Sequence, residues 1–255
     1  MSVSTPEKEV KPVAPEDVIL PPSEIYSDEP PLESELHLRQ MILLIQSLEG
    51  LWRDRHDFYA AGNLSIYYNA NQLKSQDFRG PDFFVVLGTE RKPRNSWVVW
   101  AEEGKYPNVI IEILSASTAN TDRQLKKRLY QDTFRTPEYF WFYPQTQEFQ
   151  GFCLVTGQYQ TLEANEQGYL WSQQLGLYLG IKSQRLRFFD ASGNLIPTPE
   201  EVALQEAQRA DSEAQRANSE AQRADSEAQR ADSEAQRAER LAAKLRELNI
   251  DPEEI

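Results

Sequence analysis

Val109-Ile110-Ile111-Glu112-Ile113-Leu114 is an apolar run, β-branched at four positions, with a single acid inside it. Pro107-Asn108 precedes it and Ser115-Ala116-Ser117-Thr118 follows, so the run reads as a buried strand ended by a polar break. Alternate strand residues face opposite sides. Ile110, Glu112 and Leu114 therefore share one face, and Val109, Ile111 and Ile113 share the other. Both faces are apolar apart from Glu112. An unpaired buried carboxylate is costly, so a cation or a proton is expected beside it. The alternative is a half-exposed strand that turns Glu112 to water.

Working outward, Gly80-Pro81 leads into a second strand, Asp82–Leu87, and Leu64–Tyr68 reads as a third. The segment Gly88–Ser96 is a polar excursion that carries Arg91, Lys92 and Arg94. Upstream, Leu32–Trp52 has no proline and shows helical spacing. Leu38, Ile42 and Ile45 form its stripe, widened by Leu36, Leu43, Leu44 and Leu48, with Gly50 near its end. Downstream, Thr121-Asp122-Arg123-Gln124 has capping-box spacing and predicts a helix over Thr121–Phe134, stopped by Pro137. Glu138–Tyr143 is an aromatic-rich strand. Phe149–Val155, Gln158–Leu162, Tyr169–Trp171 and Arg185–Phe189 read as antiparallel strands joined by glycine-containing turns. The order predicts an α/β (α+β) sandwich with a central mixed sheet, flanking helices and a β-rich appendix.

The ends differ in character from this middle. Residues 1–32 hold seven acids against Lys8 and Lys11, are proline-rich, and predict a disordered acidic lead. From Thr198, fifteen acids meet eight bases, and Glu-Ala-Gln-Arg-Ala-Asp-Ser recurs every seven residues. The paired alanines, from Ala207/Ala210 to Ala235/Ala238, follow one helical stripe and predict a helix over 198–250, a possible coiled coil, before a short tail at 251–255. Thr198-Pro199-Glu200-Glu201 is its start signal. Of the formal net charge of −13, almost all sits in these ends. Global acidity therefore does not argue against a nucleic-acid partner for residues 33–197.

Cys153 is the only cysteine, which rules out an intrachain disulfide and a thiolate metal cluster. His37 and His56 are too few for a histidine-rich zinc site. The first residues lack the features of a signal peptide, and no apolar stretch is long enough to span a bilayer. The expectation is a cytoplasmic protein with no membrane association.

Asp82 and Glu112, on neighbouring strands, supply oxygen ligands for a hard cation, and Lys126 supplies a positive group for phosphate charge. Read alone, Asp82 also fits a turn after Pro81. Lys126 shares a helical face with Asp122 and Tyr130, which also fits an exposed ion pair beside a core tyrosine. Glu33 and Glu35 are candidates for a third acid, with Glu35 preferred because it shares the stripe of Leu38 and Ile42. Arg79, Arg91, Lys92, Arg94 and Lys127 are candidate phosphate contacts or simply solvated basic residues.

The motifs Gly80-Pro81-Asp82-Phe83-Phe84-Val85-Val86, Pro107 through Thr118, Asp122/Lys126/Tyr130 at steps of four, and Glu138-Tyr139-Phe140-Trp141 resemble the Uma-type restriction-endonuclease family. That family belongs to the PD-(D/E)xK nuclease superfamily, and the resemblance covers about residues 33–197. It implies a Mg²⁺- or Mn²⁺-dependent endonuclease acting on DNA. Asp82, Glu112 and the Ile113 carbonyl would hold the ion, Glu35 would assist through water, and Lys126 would be the catalytic lysine. Two departures stand out. Leu114 occupies the place of the superfamily's lysine two residues after Glu112, and Arg135-Thr136 stands where the family commonly has Gly-Val. A different class, a silent nucleic-acid-binding or oligomeric scaffold assembled through the C-terminal helix, stays open.

Overall fold

The computed structural model describes residues 34–69, 78–115 and 119–247. The predicted acidic lead, the break at Ala116–Thr118 and the tail at 251–255 lie outside the described residues. The chain divides after Thr198 into two units.

In the first unit the elements run α1 (Glu35–Leu51), β1 (Phe58–Ala61), β2 (Ile66–Tyr67), β3 (Phe78–Arg79), β4 (Phe83–Leu87) and β5 (Trp97–Val98). Then come β6 (Val109–Ile113), α2 (Ala119–Arg128), a π-helical turn at Leu129–Thr133, β7 (Glu138–Tyr143), β8 (Glu148–Val155) and β9 (Gln158–Thr161). Last are β10 (Leu170–Ser172), β11 (Leu177–Lys182) and β12 (Arg185–Phe189). Six strands form the main sheet in the order β1-β4-β6-β7-β8-β9. All neighbours are antiparallel except β6 and β7, which run parallel across α2 and its π turn. The sheet is therefore mixed, as the sequence predicts.

Strand alternation gives the sheet two different faces. Phe83, Val85, Val109, Ile111, Phe140 and Phe142 pack with Leu44 and Leu48 of α1 and with Leu177, Leu179, Leu186 and Phe188 of the small β10-β11-β12 sheet. Phe84, Val86, Ile110, Leu114, Tyr139 and Trp141 pack on the other side with Tyr130, Phe134, Ile66 and Trp97. The core thus forms a three-layer arrangement around β4, β6 and β7.

Several expectations are corrected. The buried residues of α1 are His37, Gln40, Met41, Leu43, Leu44, Ser47 and Leu48, so Leu43, Leu44 and Leu48 are buried as expected, whereas Leu38 and Ile42 are each 40% exposed. The leucines fit two helical phases, and the polar His37 and Gln40 concealed the correct one. Of the Leu64–Tyr68 segment only Ile66–Tyr67 is a strand, in a side sheet, and β1, which pairs with β4 in the main sheet, was not among the predicted strands. β11 escaped notice because Gly180 interrupts it. A Cβ there would sit 2.1 Å from the Tyr169 ring, so the glycine serves close approach. Helix α2 starts at Ala119, ahead of the capping-box threonine. Arg135, where the family commonly has glycine, adopts φ +52°, a conformation glycine reaches without steric cost.

The second unit is α3, Pro199–Glu247, with no buried residue. Arg209 pairs with Glu213 at 3.1 Å, four residues on, and Ser212, Ser219, Ser226 and Ser233 donate back to carbonyls three residues earlier at 2.8 Å. No described helix is long and apolar enough to cross a membrane.

Gln40 joins α1 to the outer edge of β12. Its Nε2 donates to the Leu186 carbonyl at 2.9 Å, and its Oε1 accepts from the Leu186 N–H at 3.1 Å. Replacing it strands both backbone groups of a buried edge. Gln40→Leu is therefore expected to lower the unfolding free energy by about 2 kcal/mol, read from urea denaturation.

Candidate active site

Asp82 stands immediately before β4, and Glu112 lies near the end of β6. Phe83 opposes Ile111 and Phe84 opposes Ile110. One more step along that register sets Asp82 opposite Glu112. Directly opposed residues of an antiparallel pair point to the same face, so the two carboxylates converge. A further step would oppose Pro81 to Ile113, and proline has no N–H to offer the Ile113 carbonyl. The Ile113 N–H donates instead to Asp82 Oδ2 at 2.6 Å. Gly62, at the end of β1, permits the close pass of this backbone. A Cβ on it would meet the Asp82 carbonyl at 2.7 Å.

Glu112 is 1% exposed. Lys126 Nζ donates to its Oε2 at 3.0 Å, and the Tyr130 hydroxyl donates to its Oε1 at 2.6 Å. Both donors come from the crossover between β6 and β7, Lys126 on α2 and Tyr130 on the π turn, a feature common at functional sites. Burial, reinforced by the adjacent Asp82 charge, outweighs Lys126 and Tyr130 and pushes the Glu112 carboxyl up to about 8. Asp82 behaves oppositely. Burial works against its charge, but His37, Lys126 and the Ile113 N–H outweigh that and hold the carboxyl below its ordinary range. His37 Nε2 lies 2.9 Å from Asp82 Oδ1, an ion pair when the ring is protonated. The Ser34 side chain caps α1 by accepting from the His37 N–H at 3.2 Å, which fixes the turn that presents the imidazole.

Two unlike carboxyls thus sit together, Asp82 held below the ordinary carboxylate range and Glu112 pushed above it by burial. Their oxygens and the Ile113 carbonyl are hard donors of the kind Mg²⁺ and Mn²⁺ take. Among the described residues no group of three or more His, Cys, Asp or Glu side chains gathers in a metal-holding arrangement.

The structure brings Asp82, Glu112, Lys126 and Tyr130 together, and with them Ile113. It does not bring Glu35, whose carboxylate pairs with Arg39 at 2.6 Å on the exposed side of α1. His37, two residues on, occupies the position the sequence reading gave to an acid. The signal for it was the spacing of His37, Met41, Leu44 and Leu48, which the surplus leucines obscured. Asp122 lies on α2 and Arg79 on β3, but their side chains are outside the described residues. Arg94 is a structural residue, its side chain 5% exposed and bonded to Glu102 at 2.6 and 2.9 Å, so it is unavailable to phosphate. Arg91 pairs with Glu49 at 3.0 Å and Lys92 with Glu90 at 3.2 Å. Lys127 turns away from the acids toward Phe152.

A family model described as "Uma2: Putative restriction endonuclease" matches residues 20–187. The chain belongs to this family. A solved structure of "a putative nuclease belonging to DUF820" from Anabaena variabilis ATCC 29413 is similar at 13% identity and a TM-score of 0.43, covering 57% of this chain and 76% of that one. No curated protein matches. The Uma2 match contains Asp82, Glu112, Lys126 and Tyr130 and ends before α3.

The buried acid sets a pH dependence. Between its ordinary value of 4.5 and about 8, Glu112 keeps its proton in the folded chain and loses it in the unfolded one. The folded state then binds more protons, so stability falls as pH rises through that window and levels off above it. The Asp82 contribution has the opposite sign and changes only at lower pH. In a chelating buffer, the unfolding free energy should decline from about pH 5 to about pH 8, and Glu112→Gln should flatten the decline. An equal slope in both proteins would contradict the assignment.

Proposed function

We propose that this Uma2 protein is a Mg²⁺- or Mn²⁺-dependent endonuclease that hydrolyses phosphodiester bonds in DNA. The observation that carries the reading is the meeting of Asp82 and Glu112 at one register position, with the Lys126 amine on Glu112. Asp82, Glu112 and the Ile113 carbonyl would hold the ion. When bound, it supplies Lewis-acid polarisation of the phosphate and a lowered pKa for the attacking water.

The remaining roles belong to the chain's own side chains. Lys126, 22% exposed at its side chain, reaches from the buried acid to the surface, where its ammonium orients the water or neutralises charge building on the phosphate. This answers the departure at Leu114, because the amine arrives from α2 instead of from β6. Tyr130 fixes the other Glu112 oxygen, and His37 with the Ile113 N–H fixes Asp82. These are positioning contacts. They hold both carboxylates in place before any ligand arrives.

The scaffold reading draws support from α3, whose residues are all exposed or half-buried over 49 positions. Its charge pattern weighs against symmetric self-pairing. In the heptad that places alanines in the seam, Glu213, Glu220, Glu227 and Glu234 flank one side. Asp211, Asp225 and Asp232 flank the other. A second copy would bring acids against acids in either orientation.

The test is plasmid cleavage titrated with Mg²⁺ and with Mn²⁺. Cleavage is expected to need the ion and to fall at least about a hundredfold in Asp82→Ala and in Lys126→Met. Undiminished cleavage in Asp82→Ala would overturn the reading, and no cleavage by the wild type with either ion would favour the scaffold.

A further inference from the structure

The first turns of α1 and the β11–β12 turn enclose a cavity of about 330 Å³. Leu36 and Arg39 line it from the helix, and Ser183, Gln184 and Arg185 line it from the turn. All five are exposed. The Gln40 amide also borders it but is spent on the Leu186 backbone.

The turn concentrates positive charge. Lys182 and Arg185 flank it and oppose each other directly, so their side chains leave the sheet on one face. Like charges so placed repel, and among the described residues neither is paired with an acid. The two residues between them, Ser183 at φ +51° and Gln184 at φ +61°, adopt a conformation that such turns usually give to glycine or asparagine. Arg39 adds a third cation from α1. Its partner is Glu35 at 2.6 Å, but the two side chains are 66% and 74% exposed, and a pair that open to water holds weakly. No aromatic ring lines the cavity, so it offers a base nothing to stack on. Guanidinium groups in the open fit an anion with several oxygens.

The place of the cavity ties it to the acids. His37, one helical turn before Gln40, lies 2.9 Å from Asp82. Gln40 in turn fixes Leu186, next to Arg185. The cavity is therefore on the order of 10–15 Å from Asp82, along the start of α1.

Resting on the nuclease reading, we propose that Arg185 and Arg39, with Lys182 beside them, hold a backbone phosphate of the DNA strand, a short way along from the phosphate at Asp82 and Glu112. Leu36 packs against the adjoining sugar. The contact reads no base, so it sets the register of the strand and not its sequence.

The test is fluorescence anisotropy with a labelled DNA duplex of about 20 base pairs, in a chelating buffer over a range of KCl concentrations. Arg185→Ala should weaken binding several-fold and reduce the slope of log affinity against log salt by about 1, one lost phosphate contact. Glu35→Gln should move the other way and tighten binding about twofold. Arg53→Ala makes the same charge change beyond the far end of α1, about 25 Å off, and should leave the slope unaltered. Unchanged affinity and slope in Arg185→Ala would overturn the proposal, and so would an equal loss in Arg53→Ala, the mark of diffuse attraction. Full displacement of the duplex by inorganic phosphate at matched ionic strength would also overturn it, assigning the cavity to a free anion. Should Arg185→Ala fail to fold, Glu35→Gln decides alone, and weaker or unchanged binding there sinks the proposal. A wild type that binds no duplex removes the nuclease reading as well. One that binds and cleaves while Arg185→Ala matches it removes this proposal only.

Discussion

One carboxylate inside an apolar strand organises this domain. Glu112 shares its face of the sheet with Ile110, Leu114, Tyr139 and Trp141, and among the described residues Lys126 and Tyr130 of the β6–β7 crossover donate to its two oxygens. Lys126 and Tyr130 are spaced to reach both of its oxygens. Removing either donor would leave a buried acid short of a partner, a change that costs more than the contact itself is worth. Glu138 makes the contrast plain. It is also buried, but it accepts from the Ser172 hydroxyl and from the N–H groups of Gln173 and Gln174, so its role is to tie β7 to the β10–β11 turn. The two acids are a strand apart in position and differ in kind. Backbone donors secure Glu138 permanently, whereas an amine and a phenol leave Glu112 responsive to a cation.

The second carboxylate is placed by backbone chemistry more than by packing. Pro81 brings no N–H to the β4–β6 ladder beyond Phe83, and the Ile113 N–H donates to the Asp82 carboxylate. That bond holds the Asp82 side chain at the strand end, on the face of Glu112, and the Ile113 carbonyl has no ladder donor from proline. The parallel β6–β7 pairing forces a long connection, and the helical connection is what brings Lys126 over the acids. Fold and candidate chemistry thus share the same three strands.

Much of this was legible in the sequence because the deciding residues are anomalies of pattern. An acid in a two-sided apolar strand, an aspartate after proline before another such strand, and a lysine and tyrosine at helical spacing each stand out against periodicity. What was illegible had no such contrast. Leucines surround the whole of α1, so its phase was ambiguous and Glu35 was favoured over His37. Arg94 reads as surface from a polar loop, yet Glu102 and the rings of Tyr59 and Trp97 enclose it, a tertiary fact with no local signature. The short β1 and the glycine-broken β11 are strands only because neighbours pair with them.

The central claim is that Asp82 and Glu112 share one divalent ion. It is tested most directly by diffraction at the manganese absorption edge from crystals soaked in Mn²⁺. The account predicts an anomalous peak between the two carboxylates, within about 2.0–2.6 Å of oxygens of both and on the Ile113 carbonyl side. Strong Mn²⁺ peaks elsewhere with none between these acids would contradict it.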